Sequence, residues 1–293
     1  MQKRNLNVSI KNQFDTPFLT QSEFKVFSEF IFAECGINLP LAKKTMLSAR
    51  LNKRLHALEI ATFSKYYDFI SSPAGRIEEL HHMIDVVTTN KTEFFREATH
   101  FDFLINKALP EITKNKKFNG HNPLYVWSAG CSTGEEPYTL GIVLSEFFSQ
   151  GYRSPFSIIA TDISTRVLQL AAQATYSEEI IQPVPPDLRQ KYLLRGKGSR
   201  VGSYRVVPEL RKKINFRHLN FMEGAFAISE PVYVIFCRNV IIYFNQQTQI
   251  ELFKKFFTLL KSGGYLFIGS SETLHGINDK FQRVAPSIYK KDM

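Results

Sequence analysis

The first ninety residues carry apolar side chains at helical spacing. The first stripe begins after Thr20 and consists of Phe24, Phe27, Phe30 and Ile31. Three further stripes consist of Leu47, Leu51, Leu55 and Leu58, of Phe63, Tyr66, Tyr67 and Ile70, and of Ile77, Leu80, Ile84 and Val87. This spacing predicts an all-helical domain over residues 15–95, followed by a linker and an interdomain helix over 96–123.

From residue 124 onward, short apolar runs alternate with helical patterns. Strands are predicted over residues 124–127, 156–160, 214–219, 232–237, 265–268 and 281–290. Helices are predicted over 138–148, 164–174 and 246–260, the last with Gly263 and Gly264 in its C-cap. The run 232–237 lacks polar alternation, which is typical of a strand buried on both faces. This order of elements predicts an α/β domain over 124–293 with a doubly wound, Rossmann-like sheet.

One segment interrupts the alternation. Residues 176–213 contain Pro183, Pro185 and Pro186, then a glycine-rich stretch, and then a short strand pattern at 204–207. We expect a small antiparallel β-subdomain inserted in the main sheet.

Composition and charge narrow the class of protein. Of the 293 residues, 44% are hydrophobic and 22% charged, which is ordinary globular composition, and the net charge is +10. A basic surface favours an acidic partner, whether nucleic acid, anionic membrane or acidic protein. The N-terminal residues lack the apolar region of a secretory signal, and no apolar run is long enough to span a bilayer. The three widely spaced cysteines form no CxxC pair, which favours reduced thiols in a cytoplasmic protein without a metal site.

The turn after the first predicted strand is the first candidate binding site. It contains Gly130 and Gly134, followed by Glu135 and Glu136 at a helix start. Neither a GxGxxG fingerprint nor a P-loop lysine is present. Two carboxylates would repel a pyrophosphate and would suit a ligand with positive charge, although acids at a helix start also serve the helix dipole.

Asp162 ends the second predicted strand. An acidic side chain at that position commonly accepts hydrogen bonds from the ribose hydroxyls of a nucleoside. The alternative is an N-cap for the following helix. Together with the glycine turn, the first interpretation favours a nucleoside with a cationic tail and no phosphates, which describes S-adenosylmethionine.

Four segments in this order resemble the CheR-type chemotaxis receptor methyltransferases. They are residues 88–97 (TTNKTEFFRE), 128–138 (SAGCSTGEEPY), 160–163 (ATDI) and 236–244 (FCRNVIIYF). The resemblance extends from about residue 20 to 290. It implies a helical N-terminal domain, a methyltransferase domain with a β-subdomain, and transfer of a methyl group from S-adenosylmethionine to receptor glutamates, giving glutamate methyl esters and S-adenosylhomocysteine.

The resemblance also implies roles for individual residues. Arg96 and Tyr243 are expected to orient the reacting groups. The residues expected to bind the cofactor are Asn90, Thr92, Arg96, Gly130, Glu135, Asp162, Asn220, Phe221, Arg238 and Asn239. Without the resemblance, residues 88–96 would be interpreted as a plain interdomain helix, and Tyr243 as a core aromatic.

A basic cluster in the helical half is the candidate surface for substrate docking. It consists of Lys43, Arg50, Lys53 and Arg54, with no acidic residue between Glu34 and Glu59. A helix would place Lys43, Arg50 and Arg54 on one face, where they could attract an acidic receptor helix, although a merely solvated face has the same pattern. The resemblance implies the cytoplasmic helical bundle of the receptors as partner, and for some members a receptor C-terminal peptide added to the β-subdomain as an extra strand.

Two other functions compete with this interpretation. The positive charge suits a nucleic-acid methyltransferase, but the basic cluster has few interleaved aromatics, so we expect no nucleic-acid partner. A non-catalytic adaptor that senses the cofactor would retain the same fold. Transfer of a labelled methyl group distinguishes the three.

Overall fold

The computed structural model describes residues 17–114, 123–149, 155–274 and 280–292. The N-terminal domain is helical, as expected. Its helices are α1 (Gln21–Cys35), α2 (Lys44–Ala57), α3 (Phe63–Ser71), α4 (Pro73–Glu78) and α5 (Leu80–Val87). Thr20 caps α1 in a capping box, in which Glu23 N–H donates to the Thr20 hydroxyl and Thr20 N–H donates to the Glu23 carboxylate. The apolar side chains of α1, α2, α3 and α5 form one core.

The fourth predicted stripe is divided between two helices. The backbone leaves helical geometry at Glu79, and Ile77 is 79% exposed, so the expectation of one continuous helix was wrong. The break buries the Glu79 carboxylate, which accepts hydrogen bonds from Arg54 Nε (2.7 Å) and Tyr66 Oη (2.8 Å). The contacts of Glu79 with Arg54 and Tyr66 therefore interrupt the helix that the apolar spacing predicts.

A helical segment leads from the first domain onto the sheet of the second. It comprises α6 (Ala98–Phe103), a π-helical stretch (Leu104–Ala108) and α7 (Leu109–Lys114). Its buried side chains Phe101, Leu104 and Ile112 belong to the core of the sheet domain. The segment expected to be a linker thus packs as part of the larger domain up to residue 114, and residues 115–122 lie outside the described residues.

Among the described residues, seven strands form the main sheet and three form a smaller one. The strands in chain order are β1 (Leu124–Ala129), β2 (Phe156–Asp162), β3 (Thr175–Ser177), β4 (Leu193–Arg195), β5 (Ser203–Val206), β6 (Ile214–His218), β7 (Val232–Cys237), β8 (Leu260–Ile268), β9 (Phe281–Ala285) and β10 (Ile288–Lys291). Their order in the main sheet is β6-β2-β1-β7-β8-β10-β9, parallel from β6 to β8. The chain reverses direction across the sheet between β1 and β7, where such folds bind ligands.

In addition to α6 and α7, five helices among the described residues accompany the strands of this domain. They are α8 (Glu135–Ser149), α9 (Thr165–Gln173), α10 (Pro186–Tyr192), α11 (Pro208–Arg211) and α12 (Gln246–Leu259). The inserted segment forms the expected antiparallel subdomain, a small sheet of order β3-β5-β4. No helix formed by the described residues is long and apolar enough to cross a membrane.

Two expectations for the C-terminal region were wrong. Gly263 and Gly264 do not cap α12, because β8 begins directly at Leu260. Gly263 has a φ of +76°, and the pairing of β7 with β8 shifts register there, so the glycines form an irregularity inside the strand. The single strand expected over 281–290 is the antiparallel hairpin of β9 and β10, with β10 also antiparallel to β8.

The two domains are joined by backbone and side-chain contacts. An antiparallel bridge pairs Ile37 with Phe244, and Asn38 N–H donates to the Tyr243 carbonyl at 2.8 Å. On the opposite side, the buried carboxylate of Asp85 in α5 accepts a hydrogen bond from Ser164 Oγ at 2.6 Å, just before α9. These contacts join the helical domain to the segments that follow β7 and β2.

Candidate active site

A cavity of about 400 Å³ lies between the two domains at the carboxyl ends of β1, β2 and β7. Its volume is within the range of small-molecule sites. The predicted cofactor-binding and orienting residues that line it are Asn90, Thr92, Arg96, Gly130, Asp162, Asn220, Phe221, Arg238, Asn239 and Tyr243. The structure therefore brings together residues from segments more than 150 positions apart.

Glu135 is the predicted cofactor ligand that the structure places elsewhere. Its carboxylate is buried and accepts a hydrogen bond from Thr133 Oγ1 at 2.7 Å, and burial raises the pKa of this carboxyl. The neighbouring Glu136 lines the cavity instead. Glu136 accepts hydrogen bonds from Ser128 Oγ (2.7 Å) and from Arg238 Nε (2.8 Å). The sequence showed two acids at this helix start but gave no reason to choose the second.

Gly130 needs to be glycine at the point where the chain leaves β1. Its φ is +86°, and a Cβ added there would lie 2.5 Å from Val240 Cγ2. The turn after β1 and the turn after β7 are therefore in direct contact, which brings Gly130 and Asn239 to one edge of the cavity.

Asp162 organises the turns around it. Its Oδ2 accepts a hydrogen bond from Ser132 N–H at 2.8 Å, and its Oδ1 accepts one from Ser164 N–H at 3.0 Å. Ser164, whose hydroxyl accepts from Val167 N–H, caps α9, so the N-cap alternative for Asp162 was wrong. Burial raises the pKa of Asp162 more than these N–H donors lower it.

Residues 88–96 are irregular, so the alternative of an interdomain helix was wrong. Ser132 Oγ donates to the Asn90 carbonyl at 2.9 Å, and Phe95 N–H donates to Thr139 Oγ1 at 3.1 Å. These bonds attach the segment to the turn after β1 and to α8. Asn90, Thr92 and Arg96 consequently reach the cavity from the side of the helical domain.

Arg238 and Asn239 follow β7 and face different surroundings. The Arg238 guanidinium lies 5.2 Å from the Phe101 ring and 5.4 Å from the Phe236 ring, a cation–π arrangement. Asn239 adopts a φ of +58°. Its buried Oδ1 accepts no hydrogen bond from the described residues, which leaves an acceptor for a ligand at the cavity.

The helical domain supplies a wall that the sequence did not reveal. The lining includes Cys35, the last residue of α1, and Ile37, Asn38, Leu39 and Pro40, which follow this helix. Nothing in their pattern indicates a site. Their placement depends on the interdomain bridge and on Asn220 Nδ2, which donates to the Glu34 carbonyl at 2.6 Å. Burial raises the pKa of the Cys35 thiol to about 12, so this thiol is protonated at neutral pH.

The four residues of the basic cluster have different surroundings. Lys43 lines the cavity and Lys53 is exposed. Arg50 is partly buried, with Nη1 3.2 Å from the Thr88 carbonyl and Nη2 3.1 Å from Thr89 Oγ1. Arg54 is bound to Glu79, as described above. The two arginines stabilise the domain, and only the two lysines present free ammonium groups to a partner among these four.

The lining suits S-adenosylmethionine. The unpartnered Asn239 Oδ1 and the carboxylates of Asp162 and Glu136 are acceptors, while Arg96 and Lys91 are cationic donors. Phe221 and Leu219 supply apolar surface. Acceptors, cations and an apolar wall around one cavity match a nucleoside with a zwitterionic tail.

Comparison with known proteins agrees with this geometry. Residues 22–88 match the family model "CheR methyltransferase, all-alpha domain", and residues 90–289 match "CheR methyltransferase, SAM binding domain".

The similar curated proteins cover nearly the whole chain. A chemotaxis protein methyltransferase of Borreliella burgdorferi is 38% identical over 99% of this chain and 98% of its own length. Chemotaxis protein methyltransferase 2 of Pseudomonas aeruginosa is 35% identical over 92% and 93%, and the Escherichia coli chemotaxis protein methyltransferase is 35% identical over 92% and 91%. The resemblance inferred from four segments is therefore confirmed along the chain, which belongs to the CheR methyltransferase family.

Proposed function

We propose that this protein transfers a methyl group from S-adenosylmethionine to glutamate side chains of methyl-accepting chemotaxis receptors. The products are glutamate methyl esters and S-adenosylhomocysteine. The observation that carries this proposal is the cavity between the two matched domains, which is lined by residues of all four family segments. The proposed substrate is the cytoplasmic helical bundle of a receptor, which assigns the reaction to the cytoplasm.

The chemistry requires positioning more than proton transfer. A glutamate carboxylate has a reference pKa near 4.3, so it is already ionised at neutral pH and needs no base. S-adenosylmethionine, when bound, supplies a methyl group made electrophilic by its sulfonium. We assign to Arg96 and Tyr243 the orientation of the substrate carboxylate at the cavity mouth. Alignment of this kind can contribute on the order of 7–11 kcal/mol to lowering a barrier.

The proposed cofactor contacts follow from the cavity walls. Asp162 would accept from the ribose hydroxyls, and Asn220 and Phe221 would flank the adenine. Gly130, Asn90, Thr92, Arg238 and Asn239 would surround the remainder of the cofactor. For Glu135 a cofactor contact stays a prediction, since its carboxylate would have to leave Thr133.

The receptor bundle is proposed to approach over α2. A substitution at Lys53 tests this, because Lys53 is exposed whereas the guanidinium of its neighbour Arg54 is bound to Glu79. Lys53→Glu should weaken receptor methylation, more strongly at low salt, and leave the unfolding midpoint unchanged. Arg54→Glu should instead lower the unfolding midpoint. Equal methylation by the wild type and Lys53→Glu at low salt would exclude docking through Lys53.

The β-subdomain is the proposed second contact, with a receptor C-terminal peptide. In the order β3-β5-β4, strand β4 is an edge, and Leu194 on it is 52% exposed. An open edge can accept an added strand. Affinity measured with receptors that carry or lack their C-terminal tail tests this, and equal affinities would contradict it.

The decisive experiment is methyl transfer from labelled S-adenosylmethionine to a receptor cytoplasmic fragment. Label released as methanol by mild base identifies a carboxyl ester and supports the proposal. Label in RNA or DNA would identify a nucleic-acid methyltransferase. Cofactor binding without transfer to any of these targets would favour a non-catalytic sensor. Tyr243→Phe should lower turnover more than cofactor affinity, and unchanged turnover would remove Tyr243 from the mechanism.

A further inference from the structure

The loop over residues 269–272 follows β8 and contacts both proposed catalytic segments. Neither Ser270 nor Glu272 is among the described residues that line the cavity. The loop is closed by its own hydrogen bond, from Glu272 N–H to the Gly269 carbonyl at 2.9 Å. It therefore touches the site only through other residues.

On one side, the loop holds the residue after Arg96. Ser270 donates to Glu97 Oε1 from both its N–H (3.2 Å) and its Oγ (3.0 Å). Phe95 and Glu97 have φ values of +55° and +56°, so Arg96 lies between two non-glycine residues in left-handed conformation. Such a backbone persists only where its surroundings enforce it. The Ser270 contact, with the Arg238 side chain that donates to the Arg96 carbonyl at 2.5 Å, enforces it here.

On the other side, the loop holds the turn that carries Tyr243. The buried carboxylate of Glu272 accepts from Asn239 N–H (3.1 Å) and Ile242 N–H (3.3 Å), and from Gly269 N–H within the loop (2.6 Å). A Cβ added at Gly269 would lie 2.7 Å from Asn239 Nδ2, so the loop and the turn are packed in contact. Glu272 thus fixes the backbone on both sides of Val240 and immediately before Tyr243.

We propose that residues 269–272 are a positioning element that sets the separation of Arg96 and Tyr243, with Ser270 acting through Glu97 and Glu272 acting through the turn at 239–242. This inference rests on the proposed roles of Arg96 and Tyr243. It assigns a function in catalysis to a loop whose residues do not line the cavity. Its physical basis is that a shift of about 1 Å in a reacting group can reduce turnover as much as 100-fold.

The proposal has two branches, the contact of Ser270 with Glu97, which acts on Arg96, and the contact of Glu272 with the turn at 239–242. Kinetics of Ser270→Ala test the first branch. We expect kcat to fall roughly tenfold and the KM for S-adenosylmethionine to change less than kcat. Ser270→Thr should restore kcat, since it retains the hydroxyl. In an Arg96→Ala background, Ser270→Ala should cause no further loss. Ser271→Ala is the matched control, because both serines are exposed in the same loop and the bonds to Glu97 come from Ser270. An unchanged kcat, or losses that add in the double variant, would overturn this branch.

Backbone amide exchange tests the loop without methyl transfer. Ser270→Ala should accelerate exchange at residues 94–98, and Glu272→Gln at 239–243, while Ser271→Ala changes neither. If Glu272→Gln fails to fold, Gly269→Ala serves the second branch, since its Cβ would push against Asn239. Unchanged exchange in both segments would refute the inference. Absence of methyl transfer by the wild type would contradict the proposed function instead. The exchange measurement would still show whether the loop restrains residues 94–98 and 239–243.

Discussion

Arg238 and Glu136 form a buried ion pair, with Arg238 Nε 2.8 Å from Glu136 Oε2, although 102 positions separate them in the chain. The pair joins the end of β7 to the start of α8 beneath the cavity. Ser128 Oγ donates to the other carboxylate oxygen, so Glu136 has partners on both. The ion pair therefore holds two elements of the fold together and also forms part of the cavity lining.

Breaking this pair should destabilise the protein strongly. Arg238→Ala leaves the Glu136 carboxylate buried without its cation, and we expect a loss of about 3–5 kcal/mol in the free energy of unfolding. Denaturant titration measures the loss. Lys254→Ala is the control, because Lys254 and Glu251 form an exposed pair 2.8 Å apart whose loss should cost less than about 1 kcal/mol. Similar losses in the two variants would show that the buried pair has no special role.

Gly130→Ala should destabilise the protein and weaken cofactor binding, because the substitution combines a strained backbone with a clash against Val240. Gly202→Ala separates the two effects. Gly202 has a similar φ of +82°, but an added Cβ there meets nothing within 4 Å, so only the strain of about 1–2 kcal/mol remains. Calorimetric titration with S-adenosylhomocysteine and denaturant titration compare the variants. Equal behaviour of both would mean that contact with Val240 is unimportant.

Mild acid should destabilise the protein through His100. Burial, with the positive charge of Arg238, lowers the pKa of His100 to about 4. The unfolded chain binds a proton near pH 6.5 and the folded chain only near pH 4, so stability is lost as the pH falls through this window. The His100→Gln variant should show a smaller fall in melting temperature between pH 6.5 and 4.5. An identical fall in the wild type and the variant would assign the acid sensitivity to other groups.

Asp85→Asn should loosen the contact between the domains. Its carboxylate accepts from Ser164 Oγ, and Ser164 N–H donates to Asp162, so Asp85 is two hydrogen bonds from the proposed ribose ligand. We expect a loss of about 1–3 kcal/mol in stability and weaker binding of S-adenosylhomocysteine. Asp68→Asn, on the exposed surface of α3, is the control. Unchanged affinity in Asp85→Asn would show that this contact does not influence the cavity.

Local patterns in the sequence determined the helical domain, the alternating strands and helices, and the inserted subdomain. The helix that begins after Thr20 and the apolar run of β7 are examples, because hydrophobic periodicity acts over a few residues. The four family segments likewise identified most of the cavity lining. Local patterns failed where a distant partner competed with them. Glu79 interrupts a helical stripe because Arg54 and Tyr66 bind it, and the glycines after α12 belong to a strand because β8 pairs with β7.

Only the tertiary structure decided which of two adjacent acids faces the cavity and which basic residues remain free. Glu136 rather than Glu135 lines the cavity, where it is paired with Arg238. Arg50 and Arg54 are engaged because the end of α5 and Glu79 lie beside them. The wall after α1 and the loop over residues 269–272 also escape the sequence pattern. Each is positioned by hydrogen bonds between segments far apart in the chain, whereas a sequence pattern depends only on residues close together in the chain.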